Sequence, residues 1–544
     1  MASKRKSNFI IQGSILAMAG ILVRFIGLIY RVPLNNILGN SGISAYSTAY
    51  DVYSLFLLIS SQSLPLAVSK IVSARVAKKE MKNAYHAFCG AMVIAIIIGI
   101  VVGSGVYLGA DALAKIWKFP SASLAIKVLA PTLFIMCILG VFRGFFQGLG
   151  TMVPTAISQI LEQIVNAVVS IAAAMYLYKV GEKVGKETAY SAAGGTLGTA
   201  MGALTALLFM FFVYCIYQTV LRRNLARDRH SRKEPFTELS KILAVTIFPV
   251  LLSTTIYNFS NIIDSGIYGN VMWYVFGQKE ADYSGYWGIY SNKYRLLTTA
   301  PIAIASAFSS AVIPSLISSM VAGRKKELQN KVDSTIRLNM IIAIPCGMGL
   351  SVMAEPIIKV LFPSPDLFQE CVTLMRLAFF SVVVFSLSTI TNSILQGIDK
   401  MRVPVIHASI SLGLHIIIIL VLLIVFKLNV YGVAIADILF GLIVCILNAM
   451  AIKKYLNYRQ EFLKTFVLPT VAALIMGVGT YGFYELLFLL TTSTTFSLIL
   501  AIIFAMFIYA IMLFLFNVLS EEELRMIPKG YKLVPIVKKL GLMK

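Results

Sequence analysis

The chain has 544 residues, of which 58% are hydrophobic and only 13% are charged, and its mean hydropathy is +0.84. This composition excludes an ordinary soluble domain and indicates a polytopic membrane protein. A net charge of +23 would suggest nucleic-acid binding in a soluble protein. Here the basic residues lie in short loops between apolar segments, as the positive-inside rule requires, so we expect no nucleic-acid partner.

The apolar segments predict an all-α membrane protein with fourteen transmembrane helices, because each has the length that a bilayer demands. The predicted spans are 8–34, 42–70, 87–110, 123–147, 155–178, 190–219, 240–268, 286–319, 334–359, 371–397, 405–426, 431–452, 466–489 and 496–518. Four alternate connections are rich in Lys and Arg, namely 74–86, 220–239, 320–333 and 453–465. This alternation predicts that both termini are cytoplasmic.

Two similar turns indicate an internal repeat. QGLGTMVP at 147–154 follows span 4, and QGIDKMRVP at 396–404 follows span 10. Spans 1–6 and 7–12 are therefore expected to form two six-helix bundles as parallel repeats, with the substrate path between them. The predicted domains are two bundles, a basic cytoplasmic linker, two additional C-terminal helices and a cytoplasmic tail: 1–219, 240–452, 220–239, 453–518 and 519–544.

No enzyme or metal site is evident in the sequence. The six cysteines are scattered, mostly inside apolar spans, and none forms a C-x-x-C pair or lies at metal-ligand spacing from a histidine. They are typical of small core residues. No nucleophile and base occur in a catalytic arrangement, and no connection is long enough for a soluble catalytic domain. We therefore expect a protein that is not an enzyme, with no metal and no cofactor.

Span 1 carries two arginines at membrane depth, Arg24 and Arg31. Their separation of seven residues places them on one helix face, about 10 Å apart along the axis. A charge in the bilayer interior costs at least ~2.5–3.5 kcal/mol on insertion scales, so such residues usually face a protein interior or a water-filled cavity. Snorkelling of Arg31 to the headgroups and a structural ion pair are the alternatives.

Further charges are predicted near the same depth. Span 8 holds Lys293 and Arg295, and span 2 holds Asp51, which could pair with Arg24. Arg24, Arg295 and Asp51 each lie about 15 Å from a helix end at the ordinary helical rise. We expect a cationic chamber between the bundles that suits phosphate or pyrophosphate, for which arginine offers a bidentate fork. The alternative is a set of ion pairs that hold the halves together.

Two carboxylates are candidates for coupling to an ion. Glu162 lies inside span 5, where it could bind a cation or proton or instead make an interhelical hydrogen bond. Asp264 ends span 7 and could contact an ion or cap the outer surface. The coupling agent is left open among Na⁺, H⁺ and the membrane potential.

The segments VRFIGLIYRVPLNNILGNSG and YSNKYRLLTTAPIAIASAFSSAVIPSLIS, together with the Q-G…M…P turns, resemble the multidrug/oligosaccharidyl-lipid/polysaccharide exporter superfamily. The similarity extends from about residue 8 to 518 and is greatest to the Gram-positive polysaccharide branch, which includes stage V sporulation protein B-like and MurJ-type lipid II flippases. It implies alternating access, with substrate-binding arginines at Arg24, Arg31 and Arg295. Span 2 departs from the MurJ-type pattern because it has no basic residue before Lys70. Asp264 is the one available match to the sodium-binding carboxylate that the resemblance implies.

The resemblance implies a flippase that carries lipid II, an undecaprenyl-pyrophosphate-linked peptidoglycan precursor, from the inner to the outer leaflet. Its expected partners are the lipid-linked oligosaccharide, the bilayer of the bacterial cell membrane and cell-wall synthesis proteins. A flippase for a teichoic acid or capsule unit is the first alternative. A drug/cation antiporter would need an anionic chamber, and a non-transporting scaffold would need no buried charge, so both fit the sequence less well.

Overall fold

A computed structural model describes residues 2–60, 64–228, 231 and 262–518. All regular secondary structure in these ranges is helical. The first part of the chain forms α1 Ala2–Ser60, α2 Leu64–Ala77, α3 Met81–Trp117, α4 Ser123–Gly148, α5 Val153–Lys183, α6 Glu187–Arg227, α7 over 262–274 and α8 Glu280–Gly288.

The second part continues with a short π-helix and nine α-helices. The π-helix is Ile289–Tyr294. The α-helices are α9 Arg295–Val321, α10 Lys325–Val352, α11 Ala354–Leu361, α12 Phe368–Met375, α13 Ala378–Gly397, α14 Arg402–Leu420, α15 Asn429–Leu456, α16 Leu468–Thr491 and α17 Thr494–Leu515. Two further π-turns, Val421–Val425 and Leu463–Val467, extend α14 and precede α16.

The helices confirm a polytopic all-α membrane protein. Within the described ranges, eleven helices are long and apolar enough to cross a bilayer. The predicted seventh span, 240–268, lies outside the described residues as far as 261. Half of the linker 220–239 and the whole tail 519–544 also lie outside them. The count of fourteen spans and the parallel repeat stay predictions.

The chain divides into two compact units, 1–288 and 289–544. In the first unit α5 packs along α6, α4 packs against α2, α3 and α6, and α1 contacts α4, α5, α6 and α8. An aromatic and aliphatic core that includes Val68, Phe88, Phe145 and Met210 fills the space between α2, α3, α4 and α6. In the second unit α13 lies against α9, α10 and α15, while α16 pairs with α17 and with α10.

Glycines set the closest helix contacts of the first unit. On α6, Gly194, Gly198 and Gly202 recur every four residues against the backbone of α5. A methyl group at Gly198 would come within 2.1 Å of the Ser170 hydroxyl oxygen and 2.5 Å of the Asn166 carbonyl oxygen. A similar row on α4, Gly140, Gly144 and Gly148, meets α2. Small residues let helix backbones approach closely in lipid, where burial of apolar surface gives no driving force.

A kink at Gly39 separates predicted span 1 from the part of predicted span 2 that lies in α1; the rest of span 2 extends into α2. Gly39 has φ +66° and ψ 177°, which lie outside the helical region. Residues with a Cβ rarely adopt a positive φ, so glycine is the residue that fits here. Arg24 and Arg31 therefore lie on the arm before the kink, and Asp51 lies on the arm after it.

Candidate functional site

The two arginines of α1 lie on a face that differs from its apolar face. The most exposed apolar residues before the kink are Met18, Ile21, Leu22, Phe25 and Ile29. The helical period places Arg24 and Arg31 about 120° around the helix from the centre of this stripe. Arg24 is exposed on its own face, and Arg31, two turns further along, is half-buried. The two guanidinium groups are thus turned away from the surface that is best suited to acyl chains.

Arg31 is surrounded by tyrosines. The groups that act on its charge are Tyr30, Tyr46 and Tyr50, and no carboxylate is among them. The Tyr46 and Tyr50 rings lie 4.6 Å apart, and Tyr46 is almost fully buried. Within the part of the chain that the structure describes, Arg31 Nε and the Tyr46 hydroxyl are both buried without a hydrogen-bond partner. We call Arg31, Tyr30, Tyr46 and Tyr50 the N-terminal arginine cluster.

A chain of polar contacts fixes the N-terminal arginine cluster to α5 and α6. Asn166 Nδ2 of α5 donates a hydrogen bond to the Tyr30 hydroxyl at 3.3 Å. Thr199 of α6 donates to Asn166 Oδ1 at 3.4 Å, and the hydroxyls of Thr199 and Tyr50 are also hydrogen-bonded. Buried polar groups need such partners, and the partners hold the rings in one orientation. The orientation of the aromatic walls around Arg31 is therefore set by three helices.

The other charges predicted in the first unit have different surroundings. Asp51 is half-buried, and among the described residues no ion pair joins it to Arg24. Glu162 Oε2 lies 2.7 Å from Arg143 Nη2, and Arg143 Nε also donates to the Ser158 hydroxyl at 3.0 Å. This geometry supports the interhelical alternative for Glu162, because a guanidinium group occupies its carboxylate.

Asp264 is fully buried in α7. The next residue, Ser265, accepts a hydrogen bond from Trp117 Nε1 at 3.0 Å, and Asn270 Nδ2 donates to the Ile116 carbonyl at 2.8 Å. These contacts place α7 against the end of α3. The preceding residues of the predicted span lie outside the described ranges, so ion coupling at Asp264 stays a prediction.

Arg295 of the second unit also lies beside tyrosines. Its guanidinium carbon is 5.8 Å from the centre of the Tyr290 ring, which stacks on Tyr294 with 5.9 Å between centres. The Tyr290 hydroxyl donates a hydrogen bond to Asp437 of α15. A ring nitrogen of His415 and a carboxylate oxygen of Asp437 lie within 4.8 Å of each other. Each unit thus places an arginine from a predicted span beside a pair of tyrosine rings in contact, tilted in the first unit and stacked in the second.

Lys293 has surroundings different from those of Arg295, although the two are neighbours in sequence. It is almost fully buried, and its Nζ lies 5.4 Å from the centre of the Phe362 ring. Cys371 and Asp366 are the other groups that act on its charge. The π-helix Ile289–Tyr294 widens the turn at this point, as π-turns often do near functional sites. Lys293 therefore faces the segment around α11 and α12, whereas Arg295 lies against Tyr290.

Sequence reasoning missed the residues that surround these charges. Arg143 lies near the end of span 4, and nothing in the sequence indicated that it meets Glu162. The tyrosines carry a partial signal, because Tyr46, Tyr50 and Tyr53 recur at helical spacing and Tyr30 adjoins Arg31. Sequence alone could not assign Asn166, Thr199 and Tyr290 to the surroundings of the arginines. Their proximity becomes known only from how the helices pack.

Comparisons with known proteins agree with this architecture. A family model described as polysaccharide biosynthesis protein matches residues 11–321, and a second, described as MatE, matches residues 295–421. The lipid II flippase MurJ of Bacillus subtilis (strain 168) is 25% identical over 489 residues, which cover 87% of this chain and 88% of the relative. Stage V sporulation protein B of the same organism is 23% identical over 536 residues, or 96% and 98% of the two chains.

A solved structure shares the fold. The structure described as lipid II flippase MurJ in an inward closed conformation aligns with a TM-score of 0.66 at 15% identity. The alignment covers 91% of this chain and 97% of that one. Together with the apolar helices, these similarities identify a multi-pass bacterial membrane protein.

Proposed function

Because the chain belongs to the polysaccharide biosynthesis protein family, we propose that it carries a lipid-linked glycan across the bacterial cell membrane. It is a member of the multidrug/oligosaccharidyl-lipid/polysaccharide exporter superfamily, in a MurJ-like branch. The relative and the solved structure that are named lipid II flippase carry the name of a transport protein rather than an enzyme, which fits a protein that is not an enzyme.

The observation that carries the proposal is the buried Nε of Arg31, which has no hydrogen-bond partner among the described residues. A guanidinium group placed among tyrosines, with Nε buried and unpartnered, lacks the carboxylate that a structural ion pair would supply. An arginine that is kept from acidic partners suits an anionic ligand, since phosphate and pyrophosphate accept bidentate hydrogen bonds from it. Arg24 would extend the same cationic face by two turns, and Arg295 would offer a second contact from the other unit.

In the proposed cycle, the pyrophosphate of the lipid-linked substrate engages Arg24, Arg31 and Arg295 while the polyprenyl chain stays in lipid. Alternating access then moves the headgroup from the inner to the outer leaflet. The membrane potential would bias the steps that move net charge by about 2.3 kcal/mol per charge per 100 mV. A Na⁺ or H⁺ at Asp264 is the other means of resetting the empty carrier, whereas Glu162 is already paired with Arg143.

Lipid II is the substrate we propose, with cell-wall synthesis proteins as partners in the same membrane. The B. subtilis relative named a lipid II flippase supports this choice, and the family described as polysaccharide biosynthesis protein supports a glycan more generally. A teichoic acid or capsule unit attached to the same lipid pyrophosphate would use the same arginines. A drug/cation antiporter is favoured by the MatE match, but cationic drugs need carboxylates where this chain places arginines.

Complementation tests the function directly. In a bacterium depleted of its own lipid II flippase, the wild-type chain is expected to restore growth, and Arg31→Ala, Arg24→Ala and Arg295→Ala are expected to fail at equal protein level. Arg222→Ala is the matched control, because Arg222 is an exposed arginine near the end of α6 and should rescue fully. Failure of a well-expressed wild-type chain would exclude lipid II and direct the same assay to a teichoic acid or capsule flippase. Rescue by all the variants would exclude the arginine site.

A further inference from the structure

A second cationic site lies in the second unit, away from the arginine of α9. A cavity of about 430 Å³ opens between the start of α10, the turn after α13 and the end of α15. Arg324, Lys325, Lys400 and Lys454 line it, together with Tyr455. Its size falls in the ~300–1,000 Å³ range of small-molecule sites. Two of the three connections that form it, 320–333 and 453–465, belong to the basic set that the loop charges assign to the cytoplasm, and the predicted alternation of spans places the turn after α13 on the same side.

Contacts between the three connections hold the lining lysines around the cavity, so they are not simply a run of solvated side chains. Gln329 Nε2 donates to the Leu456 carbonyl at 2.8 Å and to the Asn457 carbonyl at 3.3 Å, which ties α10 to the end of α15. Lys400 Nζ lies 5.1 Å from the centre of the Tyr455 ring, so the turn after α13 also contacts this wall. Cations from three separate connections are thus held around one opening.

The N-terminus of α10 adds a fixed positive field. The helix begins at Lys325, follows Gly323 at φ +68°, and has no side-chain cap on its first turn. The uncapped N–H groups of a first turn attract anions. Glu327 is the first of two nearby acids, and it pairs with Arg324 at 2.8 Å and with Lys331 at 2.8 Å. Asp399 adjoins Lys400, so two acids stand against the four lining cations.

Partly exposed apolar side chains line the cavity or adjoin its lining residues. Met320 and Tyr455 line it and are 41% and 42% exposed, and Met401, next to Lys400, is 63% exposed. A soluble anion would gain nothing from these side chains, whereas a lipid can place its phosphate among the lysines and its acyl chains along the methionines. Basic pockets at the cytoplasmic ends of transmembrane helices are suited to anionic headgroups.

We propose that this cavity binds the phosphate headgroup of an anionic membrane phospholipid. The site is distinct from the proposed transport site and does not depend on the substrate carried. Lys400 and Lys454 hold the phosphate, and the N-terminus of α10 contributes backbone donors. The bound lipid would tie the start of α10 to the ends of α13 and α15.

Native mass spectrometry of the detergent-purified full chain tests the proposal, with phosphatidylglycerol and phosphatidylethanolamine as probes. The wild type should retain phosphatidylglycerol in preference. Lys400→Ala/Lys454→Ala should weaken that retention about 25-fold, at roughly fivefold for each lysine near a charged surface. Lys400→Arg/Lys454→Arg should retain it. The control Lys78→Ala/Lys82→Ala removes the same charge from another basic loop and should bind as the wild type does.

Three outcomes would overturn the proposal: equal retention of the two lipids, unchanged retention in the Lys400→Ala/Lys454→Ala variant, and equal loss in the Lys78→Ala/Lys82→Ala control. Glycerol phosphate serves as the soluble probe. If it displaces phosphatidylglycerol at matched concentration, the site takes a free phosphate and the lipid assignment is wrong. Size-exclusion profiles and thermal unfolding of each variant show whether it is folded, so a loss of lipid is not confused with a loss of structure.

Discussion

Glu162 of α5 and Arg143 of α4 form a buried ion pair, with 2.7 Å between Oε2 and Nη2. The exposed fractions of the two side chains are 24% and 9%. Removal of one partner from such a pair leaves the other charge uncompensated in a poorly solvated place. The pair therefore identifies Glu162 as a residue that holds two helices together.

We expect Arg143→Met to lower the free energy of unfolding by about 2–3 kcal/mol. This is near the lower end of the cost of removing one partner from a buried ion pair, because Glu162 is partly exposed. Thermal unfolding of the purified protein in detergent measures the loss. Glu162→Gln added to Arg143→Met should recover part of it, since no orphaned carboxylate remains. Lys127→Met breaks the exposed pair with Asp111 and should change stability by less than about 1 kcal/mol. Equal effects in the two pairs would contradict the assignment.

Gly198→Ala should destabilise the protein by about 1–3 kcal/mol, as overpacking of a tight contact does. The added methyl group would meet the Ser170 hydroxyl and the backbone of α5. The matched control is Gly105→Ala on α3, where no atom lies within 4 Å of the new methyl group. That variant should be neutral or more stable, because alanine favours helix by up to about 1 kcal/mol over glycine. A Gly198→Ala protein as stable as Gly105→Ala would show that the α5–α6 contact is looser than described.

Gly39→Ala tests the kink in α1. The methyl group would meet no atom within 4 Å, so the whole cost comes from placing a Cβ at φ +66°. With ψ at 177°, Gly39 lies in an extended positive-φ region that essentially only glycine occupies, and holding another residue there costs about 1–3 kcal/mol. Gly20→Ala, in the same helix at an open position, should not destabilise. The melting temperatures of the two variants give the comparison, and equal values would mean that the kink does not require glycine.

Among the described residues, the Tyr46 hydroxyl is buried without a hydrogen-bond partner. Its removal can therefore change transport without lowering stability. Tyr46→Phe removes that unsatisfied group and should leave stability unchanged or slightly higher. If the hydroxyl is kept for an anionic substrate beside Arg31, the same variant should lower transport several-fold. Tyr50→Phe serves as the contrast, because it breaks a hydrogen bond to Thr199 and should cost about 1 kcal/mol of stability. Full transport by Tyr46→Phe would remove Tyr46 from the substrate site.

The sequence alone predicted the all-α class and identified the charged residues at membrane depth. Long apolar segments predict helices because backbone groups in lipid must be satisfied within the segment. Arg24, Arg31 and Arg295 stood out for the same reason, since charges are expensive there. The turn LGNSG at 38–42 separated spans 1 and 2, and Gly39 breaks the helix within it.

The partners of these charges could not be predicted, because they depend on packing. Arg143 and Glu162 are separated by a turn between helices, and their contact follows from how α4 and α5 pack. The π-helix Ile289–Tyr294 gives Lys293 and Arg295 different neighbours. No periodic pattern of apolar residues in the sequence predicts this π-helix. The glycine row of α6 is visible in the sequence, yet its partner helix becomes known only from the fold.

In the proposed mechanism, arginines at membrane depth bind the pyrophosphate of a lipid-linked glycan. The most direct measurement is translocation of fluorescent lipid II in proteoliposomes that contain the purified chain. Wild type and Arg222→Ala should translocate it equally, and Arg31→Ala and Arg295→Ala should reduce the rate at least tenfold while remaining folded. Arg31→Lys should be intermediate, because lysine keeps the charge without the bidentate fork. Translocation by Arg31→Ala and Arg295→Ala at the wild-type rate would contradict the account.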